Sequence, residues 1–156
     1  MKKTLACAAL AASLLLPGPA PAEPRPAFVS GSGMILLDGE HRTFAFHALR
    51  NRDGSIRGGG VLVNRTSDIR LLLEIDCMRI DGNVVTLSGT HKDSTDPTYV
   101  GQPFWFRVVD NGEGENDPPD EITLVVTFPG GFGPDCTGEY PIDLQPILGG
   151  NVQVHP

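Results

Sequence analysis

Alternation of apolar and polar residues with a period of two runs through most of the chain, and no stretch keeps a helical period. Between residues 41 and 49, for example, Phe44, Phe46 and Ala48 share one face of an extended segment. The same pattern recurs in further segments at 56–63, 68–80, 84–89, 99–109, 122–128 and 151–155. Seven or eight strands, about 10–15 residues apart, predict an all-β fold, either an antiparallel β-sandwich or a small up-and-down β-barrel.

Turn residues join neighbouring segments into hairpins. Asn51-Arg52-Asp53-Gly54 and Asp81-Gly82-Asn83 each separate two alternating stretches, which favours an up-and-down order of strands. Inside one strand, Gly58-Gly59-Gly60 predicts a bulge or a close approach of two backbones. The order of strands does not by itself choose between sandwich and barrel.

The first 22 residues have the layout of a secretory signal peptide. Lys2 and Lys3 precede an apolar run at 5–16, and Ala20-Pro21-Ala22 forms an A-x-A cleavage site. The apolar run is too short to cross a bilayer as a helix, which needs about 20 residues. We therefore expect cleavage after Ala22 and a secreted or periplasmic mature protein of a bacterial type, without membrane insertion.

The chain beyond the signal peptide is expected to hold a short leader at 23–28 and a single all-β domain at 29–156. Within that domain, the segment 129–150 is rich in glycine and proline and is expected to be irregular. The chain carries 19 acidic and 12 basic side chains, a formal net charge of -7. This balance offers no basic surface for nucleic acid or for anionic lipid.

Two cysteines are left after the signal peptide, with its Cys7, is removed. Cys77 and Cys136 permit one intramolecular disulfide, which an oxidising compartment favours. The bond would close a loop of about 60 residues, worth roughly 4 kcal/mol in the chain-entropy model. The alternatives are a free buried thiol and a metal ligand. A metal site is disfavoured because neither cysteine belongs to a C-x-x-C motif or lies near a histidine.

Six short motifs follow one another at spacings that resemble a known β domain. They are Val29-Ser30-Gly31-Ser32-Gly33, Thr43-Phe44-Ala45-Phe46-His47-Ala48, Gly58-Gly59-Gly60-Val61-Leu62-Val63, the hairpin from Ile80 to Gly89, the strand and loop from Phe104 to Glu113, and Gly150-Asn151-Val152-Gln153-Val154-His155. Together they resemble the post-COAP-1 type of β domain of secreted bacterial proteins, over roughly residues 29–128. The resemblance implies a small extracytoplasmic accessory module and brings no catalytic residue with it.

An acidic loop at 110–121 is the sharpest local feature of the sequence. Its carboxylates are Asp110, Glu113, Glu115, Asp117, Asp120 and Glu121. Calcium takes six to eight oxygen ligands on a flexible turn, so the first five of these residues are a candidate calcium site. The spacing does not match an EF-hand, however. The alternative is a solvated, self-repelling connection between two strands.

A second candidate is a surface for stacking against a sugar or a peptide. Tyr99 and Trp105 are expected to project from one face of the sheet, with Arg107 within reach. The alternative is that Trp105 lies half-buried under the C-terminal tail.

Signals for catalysis are weak. The four histidines show no H-x-H or H-x-x-x-H spacing, and His47 is expected to face outward. The sequence has no G-x-S-x-G motif, and abundant carboxylates alone do not define a glycosidase pair. We therefore expect a non-catalytic accessory or interaction domain, without a cofactor, for an unknown protein or glycan. A calcium-dependent binding module is the alternative, and a small secreted hydrolase is a third hypothesis.

Overall fold

The computed structural model describes residues 25–156 except Glu115, Phe132 and Pro134. The predicted signal peptide at 1–22 and the first two residues of the leader lie outside the described residues. Within the described part, regular structure consists of ten β-strands and one short 3-10 turn, Pro97–Tyr99. The prediction of an all-β fold is confirmed.

The strands follow one another closely along the chain. They are β1 (Ala27–Leu37), β2 (Glu40–Arg50), β3 (Ile56–Asn64), β4 (Ile69–Asp81), β5 (Val84–Ser94), β6 (Pro103–Val109), β7 (Glu121–Thr123), β8 (Val126–Thr127), β9 (Leu144–Pro146) and β10 (Gly149–His155). The first strand begins at Ala27, two residues before the expected start of the domain. The Gly/Pro-rich segment at 129–150 contains β9 and the first residues of β10.

All ten strands belong to one antiparallel sheet that curls into a half-barrel. The strand order is β10-β1-β2-β3-β4-β5-β6-β7-β9, and β8 pairs with β6 beside β7. Strands β1 to β6 form the expected up-and-down meander. The residues Ile147 and Leu148 carry the chain from one edge of the sheet to the other. The Ile147 N–H donates to the Asp120 carbonyl, and the Leu148 N–H donates to the Met34 carbonyl, each at 2.8 Å.

The structure has ten strands, where seven or eight were expected, because two short strands were not foreseen. The segment predicted as one strand at 122–128 is split into β7 and β8. Val108 pairs with Ile122, whereas Phe104 pairs with Thr127, so the register moves by one residue between these two pairs. One extra residue in a strand is a β-bulge, which bends the strand and interrupts its ladder. The second unforeseen strand, β9, lies within the Gly/Pro-rich segment.

The core occupies the inner face of the half-barrel and contains a cluster of phenylalanines. Phe46 meets Phe106 edge-on at 5.3 Å between ring centroids, and Phe104 stacks on Phe106 at 6.0 Å. These rings lie on the buried positions of β2 and β6, so the period of two correctly identifies the inner face. Burial of each large apolar side chain contributes about 1.5–3 kcal/mol.

Strand β3 approaches β2 closely where the sequence has three glycines. A side chain at Gly58 would meet the His47 carbonyl and the Cα of Ala48, and one at Gly60 would meet Phe46. The predicted close approach of backbones is therefore confirmed. The alternative, a bulge at these glycines, is not seen: β3 pairs with β2 and β4 in continuous register, whereas β4 and β5 shift register at Leu72/Leu73 and Ile75/Cys77.

Candidate functional site

The acidic loop binds the last strand of the sheet through its carboxylates. Asp120 Oδ2 accepts the Val152 N–H at 2.6 Å, and Asp110 Oδ2 accepts the Val154 N–H at 2.9 Å. Both amides lie on the side of β10 that faces away from β1. Two carboxylates therefore take the place of a neighbouring strand, and β10 is hydrogen-bonded along both edges.

The same carboxylates also fix the loop itself. The second oxygen of Asp120 accepts the Asn111 N–H at 2.7 Å, and that of Asp110 accepts the Gly112 N–H at 3.0 Å. The side chain of Asp120 is buried, with 6% of the residue exposed. Hydrogen bonds from N–H groups to a carboxylate are charge-assisted and stronger than neutral ones. Asp120 is thus a buried anchor that joins the acidic loop to β10.

The remaining acidic residues of the loop are more exposed. Glu113 Oε1 accepts hydrogen bonds from the side chains of Asn151 and Gln153 in β10, at 2.5 and 3.4 Å. Asp117 accepts the Gly114 N–H of its own loop at 2.7 Å. Glu115, the fifth predicted calcium ligand, lies outside the described residues.

Within the described part of the acidic loop, the expected calcium ligands do not converge on one point. Among the described residues, no three histidine, cysteine, aspartate or glutamate side chains form a group that could hold a metal ion. Asp110 and Asp120 are directed at backbone amides of β10, whereas Asp117 turns back on the loop. The loop is also not a free solvated connection, because three of its carboxylates bind β10.

Calcium is accordingly expected to leave the thermal stability of the protein unchanged. A ligand that binds the folded chain at 100 times its dissociation constant adds about 2.7 kcal/mol, which would raise the melting temperature by roughly 5–15 °C. With Asp110 and Asp120 already occupied by N–H donors, we expect a shift below about 1 °C between millimolar calcium and EDTA. A calcium-dependent rise of several degrees that is lost in Asp117→Asn would restore the calcium hypothesis.

The second predicted site, the stacking surface of Tyr99, Trp105 and Arg107, is not formed. Trp105 is fully buried, because Tyr140 packs edge-on against its indole at 5.1 Å between centroids. Tyr99 lies on the opposite face, where its ring meets His91 at 5.8 Å. His91 in turn packs at 5.2 Å against Phe104, which neighbours Trp105 and points to the core. Of the two predictions for Trp105, the structure agrees with the one in which the C-terminal tail covers it, and the burial is complete rather than half.

The segment that covers Trp105, here called the strap (residues 135–140), is held to the sheet by a disulfide and by ion pairs. A disulfide joins Cys136 to Cys77 of β4, as predicted, with 5.7 Å between their Cα atoms. Glu139 forms ion pairs with Arg79 and, at 2.8 Å, with Arg107. The Arg107 guanidinium also lies 5.2 Å from the centroid of the Trp105 ring, within cation–π range.

The strap explains why both faces of β5 and β6 are buried. Thr86 and Ser88 occupy the outer positions of β5 but are almost completely covered. The alternation of residues could not reveal that a second layer covers this face, because the strap has no periodic pattern. Within the strap, hydrogen bonds from Arg79 and then from Arg107 hold the pKa of the Glu139 carboxyl below its ordinary value. The pairing of Cys77 with Cys136 was the one signal that placed it against the sheet.

His91 is a buried titratable group, and the sequence pattern did not indicate its burial. Its Nε2 lies 2.9 Å from the Thr127 hydroxyl, and only 1% of the residue is exposed. Burial lowers its pKa to about 4, from an ordinary value of 6.5. The protein therefore holds this imidazole neutral at pH 7. His47, by contrast, is exposed on the outer face, as expected.

Acid is expected to destabilise the protein through His91. Below pH 6.5 the unfolded chain takes up a proton that the folded chain accepts only near pH 4, so stability is complete above 6.5 and declines as the pH falls towards 4. The expected loss is about 2 kcal/mol at pH 5. Urea titrations at several pH values will measure it. In His91→Gln, which keeps a polar group near Thr127, this decline should be smaller; an identical decline in both proteins contradicts the assignment.

A shallow groove of about 560 Å³ runs over β3 on the outer face of the sheet. Its floor consists of the backbone of Gly58–Gly60 and the small or aliphatic side chains of Ala45, Val61 and Leu72. Four polar side chains surround this floor, namely His47, Arg70, Glu74 and Lys92. Gly59 lies opposite the exposed His47 and leaves a gap in the outer surface, whereas Gly58 and Gly60, which allow the close approach to β2, lie opposite the buried Ala48 and Phe46.

Comparison with protein-family models, with curated proteins and with solved structures gives no match for this chain. In the part of the chain that the structure describes, no helix has the length and apolar character to cross a membrane.

Proposed function

We propose that this protein is an exported, non-catalytic β domain that acts as an interaction module, of the kind that its resemblance to the post-COAP-1 type implies. The groove over β3 carries this proposal, since it is a concave outer surface with an apolar floor. The Cys77–Cys136 disulfide supports export, because such bonds persist in oxidising compartments.

The lining of the groove favours a polypeptide partner over a glycan. Arg70 and Lys92 supply positive charge at its margin, and Glu74 supplies negative charge. An extended peptide with side chains of both charges would match this pattern. Phe46, the one aromatic residue among the lining groups other than His47, points into the core and is buried. It therefore offers no ring face on which a sugar could stack.

A peptide library displayed on phage tests this proposal. Sequences are selected on the wild-type domain and then measured on two variants of the outer face of β2. Ala45→Arg places a long charged side chain inside the groove, whereas Leu49→Arg changes an exposed residue of the same strand and face, outside the groove. Both substitutions lie on the surface, so folding should be preserved within about 0.5 kcal/mol.

The proposal expects selected peptides to lose at least about tenfold in affinity for Ala45→Arg, equivalent to 1.4 kcal/mol, and to keep their affinity for Leu49→Arg. No enriched sequence, or equal affinity for the two variants, would contradict it. A panel of chromogenic esters and glycosides tests the hydrolase hypothesis, and turnover above that of the buffer would support that hypothesis instead.

Export is tested separately by mass spectrometry of the protein recovered from the periplasm or the medium. The proposal expects a mature N-terminus at Glu23. Recovery of the chain in the cytoplasm with Met1 retained would contradict it.

A further inference from the structure

The outer face beneath the strap is a block of six side chains that form two rows across β4, β5 and β6. One row is Cys77, Ser88 and Trp105, and the other is Arg79, Thr86 and Arg107. The outer face of an antiparallel sheet is commonly solvated, yet Thr86, Ser88 and Trp105 are each at most 3% exposed. The strap therefore covers a surface that carries hydroxyls, guanidinium groups and an indole, here called the covered face.

The strap meets the covered face through two side chains that are adjacent in sequence. The carboxylate of Glu139 lies between the guanidinium groups of the two arginines. The ring of Tyr140 packs against Trp105 at 5.1 Å and against Phe128 at 5.3 Å between ring centroids. Arginines bind carboxylates through charge-assisted hydrogen bonds, and aromatic rings prefer edge-on or offset contacts with one another. The strap thus shows which chemistry the covered face accepts, a carboxylate followed by an aromatic ring.

Side chains rather than backbone hold the strap to the sheet. Among the described residues, no backbone–backbone hydrogen bond joins 135–140 to a strand. The Glu139 side chain is 68% exposed, and ion pairs exposed to water contribute little to stability. Beneath the strap, Trp105 Nε1 and Arg107 Nε have no hydrogen-bond partner among the described residues, although native proteins pair nearly all buried donors. The disulfide is therefore the principal tie that keeps the strap in place.

We propose that the covered face is a binding surface for a peptide in which an acidic residue precedes an aromatic one, and that the strap occupies it as an internal ligand until the Cys77–Cys136 bond is reduced. A dithiol supplies the two electrons: the bond between the two cysteine sulfurs breaks, a disulfide forms in the dithiol, and two protons complete the cysteine thiols. A short tether gives an internal ligand an effective concentration of about millimolar or more, so an external peptide does not displace the closed strap.

Titration with a peptide of the strap's own sequence, followed by NMR, tests this inference. The probe is acetyl-Thr-Gly-Glu-Tyr-Pro-Ile-amide (residues 137–142), and the indole N–H signal of Trp105, the single tryptophan, reports binding. Wild-type protein reduced with dithiothreitol is expected to bind the probe with a dissociation constant of the order of 1 mM, and the oxidised protein at least about tenfold more weakly. Equal binding by the two forms, or a bond that dithiothreitol does not reduce in the folded protein, would overturn the proposal.

A variant that keeps the disulfide makes the test independent of the stability of the reduced protein. Glu139→Ala combined with Tyr140→Ala empties the two positions that the strap fills. N-acetyl-Glu-Tyr-amide should bind this variant at least about tenfold more tightly than it binds the oxidised wild type, and N-acetyl-Glu-Ala-amide, which lacks the ring, should bind neither. Absence of dipeptide binding to the variant overturns the proposal even if the reduced protein unfolds. Ala45→Arg, which blocks the outer groove, should leave both results unchanged, so this inference and the proposed function can fail independently.

Discussion

Replacing Cys77 and Cys136 together by serine is expected to lower the free energy of unfolding by about 4 kcal/mol. The two residues are 59 apart in sequence, and in the chain-entropy model a loop of this length costs the unfolded chain roughly that much freedom when it is closed. For a domain of this size, the melting temperature should fall by roughly 15 °C. Differential scanning calorimetry of the double variant and of the wild type will measure the difference.

The fluorescence of Trp105 reports whether the strap still covers the indole, since the chain contains a single tryptophan. The disulfide fixes the strap over the indole, so the double variant should emit at longer wavelength at temperatures where its far-ultraviolet circular dichroism is still native. A matched control is Glu139→Gln, which removes the ion pairs with Arg79 and Arg107 but keeps the disulfide. This variant should keep a buried Trp105. An unchanged melting temperature in the double cysteine variant would contradict the structural role of the bond.

Removal of the Asp120 carboxylate is expected to have the second-largest effect, a loss of about 3 kcal/mol in Asp120→Ala. Two backbone amides, those of Asn111 and Val152, would lose their acceptor in a buried place. Each charge-assisted hydrogen bond contributes about 1.5–3 kcal/mol, and partial access of water to the emptied site offsets part of the loss. The melting temperature should fall by roughly 10 °C.

Asp117→Ala is the matched control for this prediction. It removes the same charge from the same loop, but Asp117 is exposed and accepts one amide of its own loop. We expect a change within about 0.5 kcal/mol. Equal effects of the two substitutions would mean that the loop matters through its total charge, and the role of Asp120 as an anchor would be wrong.

The inner face of the sheet was predictable because burial there follows a period of two. Phe44, Phe46 and Ala48 are buried where the pattern places them, and the hairpin at Asp81-Gly82-Asn83 forms as expected. Local sequence carries this information, because successive side chains of a strand point to opposite faces. The disulfide was predictable for a different reason, namely that two cysteines allow one pairing.

The position of Trp105 was not predictable, because it depends on a contact between segments about 35 residues apart. The alternation of residues correctly predicted that Trp105 and Phe104 lie on opposite faces of β6. It could not show that Tyr140 covers the outer face of β6, since the strap has no period of its own. The contacts of the acidic loop were not predictable for a similar reason. Carboxylates that lie together in sequence bind the amides of β10, which follows more than 30 residues later.

The central claim is that the carboxylates of the acidic loop complete the hydrogen bonding of β10, and amide hydrogen exchange tests it most directly. In the wild-type protein the amides of Val152 and Val154 should exchange slowly, because Asp120 and Asp110 accept them. In Asp120→Asn, protection of Val152 should fall by at least about tenfold, while Val29 of β1 keeps its protection. Fast exchange of Val152 and Val154 in the wild type, or equal protection of Val152 in both proteins, would contradict the claim.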